Sequence, residues 1–164
     1  MNLWQDPTVL LRMKEDYDGA EPSASSISVL NLIVLSHLHA EPAWTARIER
    51  TLRLYGPRLE QIGRAVPMMA SALATYASGL EQIVVVGDGP NAKALLDAAS
   101  LRYRPFSITL GLTSSAQREL ATSAPFLATL PIRDGEPAAY VCRDFACRAP
   151  ITDPTALARA LNDE

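Results

Sequence analysis

Two cysteines, two histidines and eight glycines among 164 residues leave little material for several kinds of chemistry. Two cysteines cannot staple a disulfide-rich secreted framework. The histidines, His37 and His39, sit two apart in a helical stretch and point away from each other, so a zinc site lacks its three or four ligands. Neither a metal nor a cofactor is expected. Excess basic charge is also missing: 15 Lys and Arg stand against 18 Asp and Glu, a formal net charge of −3. A nucleic-acid surface needs a stripe of cations, and none is present. No apolar run approaches the ~20 residues of a membrane span. The opening MNLWQDPTVLL has no basic region ahead of an apolar core, so it does not read as a secretion signal. The expectation is a cytoplasmic protein that binds neither nucleic acid nor membrane.

What is present divides into two halves, 1–79 and 80–164. The first reads as helical. Ser25 and Ser26 are good N-caps for the run ISVLNLIVLSHL, residues 27–38, which is apolar nearly all round and therefore expects cover on most sides. Glu41 and Pro42 open a second helix with an apolar stripe at Trp44, Ile48, Leu52, Tyr55, Leu59 and Ile62. Gly56-Pro57 predicts a kink or break there, because proline removes a donor and clashes with the preceding turn. A third helix, near Val66–Ser78, places Val66, Met69, Leu73 and Tyr76 on one face.

After Gly79 the pattern changes. QIVVVGD is a β-branched run ending in glycine, as buried parallel strands do. NAKALLDAASLRY reads as a helix and FSITLGL as a second strand. Residues 115–128 read as a helix interrupted by Pro125, AAYVC as a third strand, and Asp153-Pro154 as the start of a last helix through Leu161. The fold class is α/β: a helical segment followed by a small three-stranded parallel unit.

Three stretches could carry chemistry. Gly87-Asp88-Gly89-Pro90-Asn91-Ala92 fits G-x-G-x-x-A between a strand and a helix, where backbone donors can receive a pyrophosphate. Against this, the second strand ends without an acidic residue for a ribose, and Pro90 lacks a donor. The bland reading is a glycine turn with proline at the first helical position. Cys142 and Cys147 have four residues between them, not the two of a thioredoxin-like centre. A straight strand would send them to opposite faces, although a turn at Arg143-Asp144 could bring them together. Buried free thiols acting as small hydrophobes are expected. DYDGAEPSASS sets the carboxylates Asp16, Asp18 and Glu21, with Ser23 and Ser25, ahead of a helix start, either as ligand-facing groups for acid-base chemistry on sugars or simply as a turn and caps.

VLLRMKEDYDGAEPSASSISVLNL, together with AAYVCRDFACRAPITDPTAL, resembles the C-terminal part of a family of thioredoxin-domain-containing proteins with spermatogenesis-associated members. The resemblance implies an N-terminal thioredoxin-like domain followed by an (α/α)6 toroid of the six-hairpin glycosidase type, to which this chain would supply the last helices and a small α/β appendage. Where family members carry Pro-Ser-Gly-Asn-Ser, this chain has Pro22-Ser23-Ala24-Ser25-Ser26. Where they carry Arg-Asn-Phe-Thr-Cys, it has Arg143-Asp144-Phe145-Ala146-Cys147. The resemblance implies a non-catalytic module acting in assembly or completing a carbohydrate-type cavity. The alternative is a small nucleotide-binding protein using Gly87–Ala92. The apolar run 27–38 leads to the expectation of a homodimer, in which the helical segments of two copies cover each other.

Overall fold

A computed structural model describes residues 16–39 and 41–162. The opening stretch MNLWQDPTVLL and the Val9–Glu15 part of the first family motif lie outside them.

The helical half begins with α1 (Ala24–Ser36), α2 (Pro42–Ile62) and α3 (Pro67–Ser78). The cap of α1 is Ser23, not Ser25 or Ser26: its Oγ accepts the Ser26 N–H at 3.2 Å, and its backbone is extended. Ser25 and Ser26 therefore lie in the first turn. The helix ends at Ser36, short of Leu38. Glu41 does cap α2, accepting the Ala43 N–H at 3.1 Å ahead of Pro42. Pro57 does not break α2, which continues to Ile62. Proline there forfeits one backbone bond on an exposed face, while Ile48, Leu52 and Tyr55 anchor the helix in the core.

Those three side chains pack with Val29 and Ile33 of α1 and with Val66, Met69 and Ala72 in and around α3. The buried face of α3 is Met69, Ala72 and Thr75, whereas Leu73 is exposed, so the expected face was rotated. Each fully buried aliphatic side chain contributes ~1.5–3 kcal/mol.

The second half holds β1 (Glu81–Val86), α4 (Pro90–Ala99), β2 (Ser107–Leu112), α5 (Ser114–Leu120), β3 (Ala138–Arg143), β4 (Ala146–Cys147) and α6 (Pro154–Asn162). The α/β class holds, but the sheet is four-stranded and mixed, in the order β2-β1-β3-β4. β1 and β2 are parallel. β3 runs antiparallel to β1, and β4 antiparallel to β3.

The correction has a physical reason. A parallel return must run the length of a strand, about 20 Å for six residues. α5 has seven residues, about 10 Å of rise, before Pro125 starts a separate 3-10 turn at Pro125–Thr129. The chain thus stays near the end where β1 finishes, and Ala138 pairs with Val86. Gln117 Nε2 fixes this connection by donating to the carbonyls of Leu127 at 2.6 Å and Leu130 at 2.7 Å.

β1 is buried along its whole length. Its Ile83 and Val85 join Ala139 and Val141 under α4 and α6. Its Val84 and Val86 join Ala138, Tyr140 and Cys142 under Leu112, Leu127 and Leu130 on the other face. The last helix starts as its sequence indicates: Asp153 Oδ1 accepts the N–H groups of Thr155 at 2.6 Å and Ala156 at 3.0 Å. Across the halves, Gln82 Nε2 donates to the His37 carbonyl at 2.9 Å.

Candidate functional site

The acidic turn ahead of α1 is built around Asp18. Its Oδ1 accepts the Ser23 N–H at 2.9 Å and its Oδ2 accepts the Met68 N–H at 2.8 Å, so one carboxylate serves the entries of α1 and α3. Burial pushes this carboxyl up, but the donors from Ser23 and Met68, with the hydroxyls of Ser26 and Ser23, outweigh it and hold it below its ordinary value. Ser23 and Ser26 are fully buried and bonded to each other through their hydroxyls at 2.9 Å. Glu21 is exposed. The structure thus brings Asp18 and Ser23 together as a folding device and turns Glu21 outward.

Ser25 is half-buried and lines a cleft of about 550 Å³ between the start of α1 and the second half of α2. Thr51 and Gln61 give the cleft polar edges, Leu54 and Ile62 apolar ones, and Arg58 forms an ion pair with Asp16 at its mouth.

The glycine loop lies where β1 hands over to α4. Gly87 has φ +128°, and a Cβ there would sit 2.8 Å from the Pro137 backbone. Gly89 has φ +88°, occupies the N-cap position of α4 and has open space around it. The Asp88 carboxylate accepts from the Ser114 hydroxyl at 2.8 Å and the Ser114 N–H at 3.2 Å, tying the ends of β1 and β2 together. It also places a negative charge beside the donors a pyrophosphate would use. A further glycine was not singled out from sequence: Gly111 in β2, where a Cβ would meet Leu96 of α4 at 2.7 Å. Close helix-on-strand packing is its physical reason.

The expectation of free thiols is overturned. Cys142 and Cys147 form a disulfide, with Cα atoms 3.9 Å apart. They are directly opposite residues of the β3–β4 hairpin. The turn between them passes through Asp144 and Phe145, both at positive φ (50° and 62°), which is type I′ geometry and reverses the chain in two residues. That turn cancels the odd offset that would separate the thiols on a straight strand. Phe145 also meets Phe126 edge-on, with ring centroids 5.4 Å apart. His37 lies 3.9 Å from the Asp144 carboxylate, while His39 stacks obliquely against Trp44. Among the described residues no group of three or more His, Cys, Asp or Glu could hold a metal ion, and no helix is long and apolar enough to cross a membrane.

Comparison with known proteins adds a relationship but no activity. The chain is 35% identical over 154 residues to spermatogenesis-associated protein 20 of Homo sapiens, and 34% identical over 154 residues to that of Rattus norvegicus. An uncharacterized protein of Caenorhabditis elegans is 31% identical over 147 residues. These matches take in 93%, 93% and 89% of this chain but 20% of each relative, so the chain spans about a fifth of their length. No protein-family model matches it, and no solved structure does.

Proposed function

We propose that the chain is a non-catalytic module of a larger assembly of the spermatogenesis-associated protein 20 type. In this reading its helical half closes an array of helical hairpins of the six-hairpin kind, and its sheet caps that array. The observation that carries the reading is the apolar surface left on all three helices of the first half: Ile27 and Leu35 on α1, Leu54 and Ile62 on α2, and Leu73 on α3 are all exposed. Surface of this kind marks an interface when it clusters on one segment. Several of the candidate polar groups have structural duties. Asp18 caps two helices, Asp88 binds Ser114, and the cysteines are bonded to each other. The cleft at Ser25 and Arg58 is where such a module would border a carbohydrate-type cavity supplied by its partner. The same apolar run, 27–38, would let two copies associate when the larger partner is absent.

The test is complementation. The human relative lacking its matching 154 residues is co-expressed with this chain. Co-purification in equimolar amounts, lost when Ile27, Leu35 and Leu73 are replaced by glutamate, is the expected result. A truncated relative that folds and never captures this chain overturns the reading.

A further inference from the structure

A further cleft lies at the opposite end of the sheet from the glycine loop. It encloses about 700 Å³, within the ~300–1,000 Å³ of small-molecule sites. Strand alternation explains its floor. Ser107, Glu81 and Arg143 are direct register partners across β2, β1 and β3. They share the sheet face of Ile83, Val85 and Val141, but lie at the strand ends beneath which the α4 and α6 core gives out. Arg148 joins the row because its N–H bonds the Val141 carbonyl at 3.0 Å, which sets it opposite Val141 on the same face. The wall is the loop between α4 and β2, which contributes Tyr103, Arg104 and Phe106.

The lining is cationic in a chain whose net charge is −3. Among the described residues, three arginines and one carboxylate, that of Glu81, line it. That carboxylate is engaged by Arg104 at 2.7 Å, and Arg104 also donates to the Leu161 carbonyl at 2.5 Å, so Arg104 acts as a fixed strut. Arg143 and Arg148 are both exposed at the mouth. Guanidinium forks match phosphate oxygens in pairs, which an ammonium does not. Beside them, Tyr103 is 90% exposed and Phe106 is 37% exposed, two ring faces against which a planar group can stack.

We propose that this cleft binds a small ligand that joins a planar ring to an anionic group, the class of the nucleoside phosphates, with Arg143 and Arg148 on the phosphate and Tyr103 and Phe106 on the ring. This is independent of the module reading and locates nucleotide affinity away from Gly87–Ala92.

Amide shifts of the full chain, followed by NMR during titration with ADP, test it, with adenosine and inorganic phosphate as separate arms. ADP is expected to saturate at millimolar concentration or below, with shifts concentrated at residues 103–107, 143 and 148. Each half-ligand should bind at least about tenfold more weakly, because it uses one half of the lining. Arg143→Glu combined with Arg148→Glu should weaken ADP by about a hundredfold, and Tyr103→Ala by about tenfold. No saturable shift with ADP, shifts confined to residues 87–92, phosphate binding as tightly as ADP, or a folded double variant that binds like wild type would each overturn it. If the double variant does not fold, Tyr103→Ala decides, since so exposed a side chain is not needed for the core.

Discussion

Asp18 Oδ2 accepts the Met68 backbone N–H at 2.8 Å across 50 positions of sequence, while its Oδ1 serves Ser23 only five residues away. One side chain thereby fixes where α1 and α3 start relative to each other. Asp18→Ala is expected to cost about 1–3 kcal/mol at neutral pH, the sum of two helix-entry contacts. The sign with pH follows from the lowered folded value. The contribution is fully present above the ordinary value of 3.8 and disappears as the pH falls through the lower folded one. Urea unfolding of both proteins, from neutral pH down to below that value, should show the gap closing on the acid side. A gap of constant size would mean that the ionised carboxylate is not what stabilises the turn.

Gly87 and Gly89 look alike in sequence and differ in the structure. Gly87→Ala forces a Cβ to 2.8 Å from the Pro137 backbone as well as an unfavourable φ, whereas Gly89→Ala meets the φ penalty alone. Gly89→Ala should cost about 1–2 kcal/mol, and Gly87→Ala about 1–3 kcal/mol more. Equal thermal shifts for the two would show that the Pro137 contact is not what demands the glycine at position 87.

What could be read from the residues was the local part of the fold. The Glu41-Pro42 and Asp153-Pro154 helix starts, the buried run in β1 and the α/β class all rest on contacts within a few residues. Strand direction did not, because AAYVC has the same alternation whichever way it runs. Its orientation is set by how far α5 travels before Pro125. The cap of α1 was misplaced by two or three residues because Ser23, Ser25 and Ser26 are chemically equivalent, and only the approach of Asp18 distinguishes them. At the sites, an acid before a helix was legible as a cap, but its second client, Met68, was not. The floor of the cationic cleft joins residues from positions 81, 107, 143 and 148, a set that no local pattern gathers.

The disulfide makes a chemical prediction. Without reductant, iodoacetamide should label neither cysteine. After reduction Cys147, which is exposed, should react before Cys142, which is 1% exposed. Closing so short a loop contributes about 2 kcal/mol by chain entropy, so Cys147→Ser should lower stability by about that amount. Rapid alkylation inside cells then bears on the compartment: a cytosolic location predicts a predominantly reduced pair, because glutathione and thioredoxin keep most thiols open there. Simultaneous labelling of both thiols at equal rates would contradict the burial of Cys142 beneath Leu127 and Leu130.

Self-association through α1 can be weighed quantitatively. Val29 and Ile33 are already buried, and Leu30, Leu32 and Val34 pack partly against the core, so less of the run is bare than its composition suggests. Ile27 and Leu35 keep 36% and 43% of their surface exposed. Covering that fraction is worth ~0.6–1.2 kcal/mol for each side chain, or ~2–5 kcal/mol for the four in a two-fold pair. A micromolar dimer needs about 8 kcal/mol. Ile27 and Leu35 alone therefore support a weak dimer, and tight binding requires a partner that also covers Leu54, Ile62 or Leu73. Sedimentation equilibrium should find a monomer at low micromolar concentration and growing dimer toward millimolar. Ile27→Glu with Leu35→Glu should abolish the dimer without lowering the melting temperature. A monomer at every concentration would sink self-association through this helix, and a micromolar dimer indifferent to both substitutions would place the interface elsewhere.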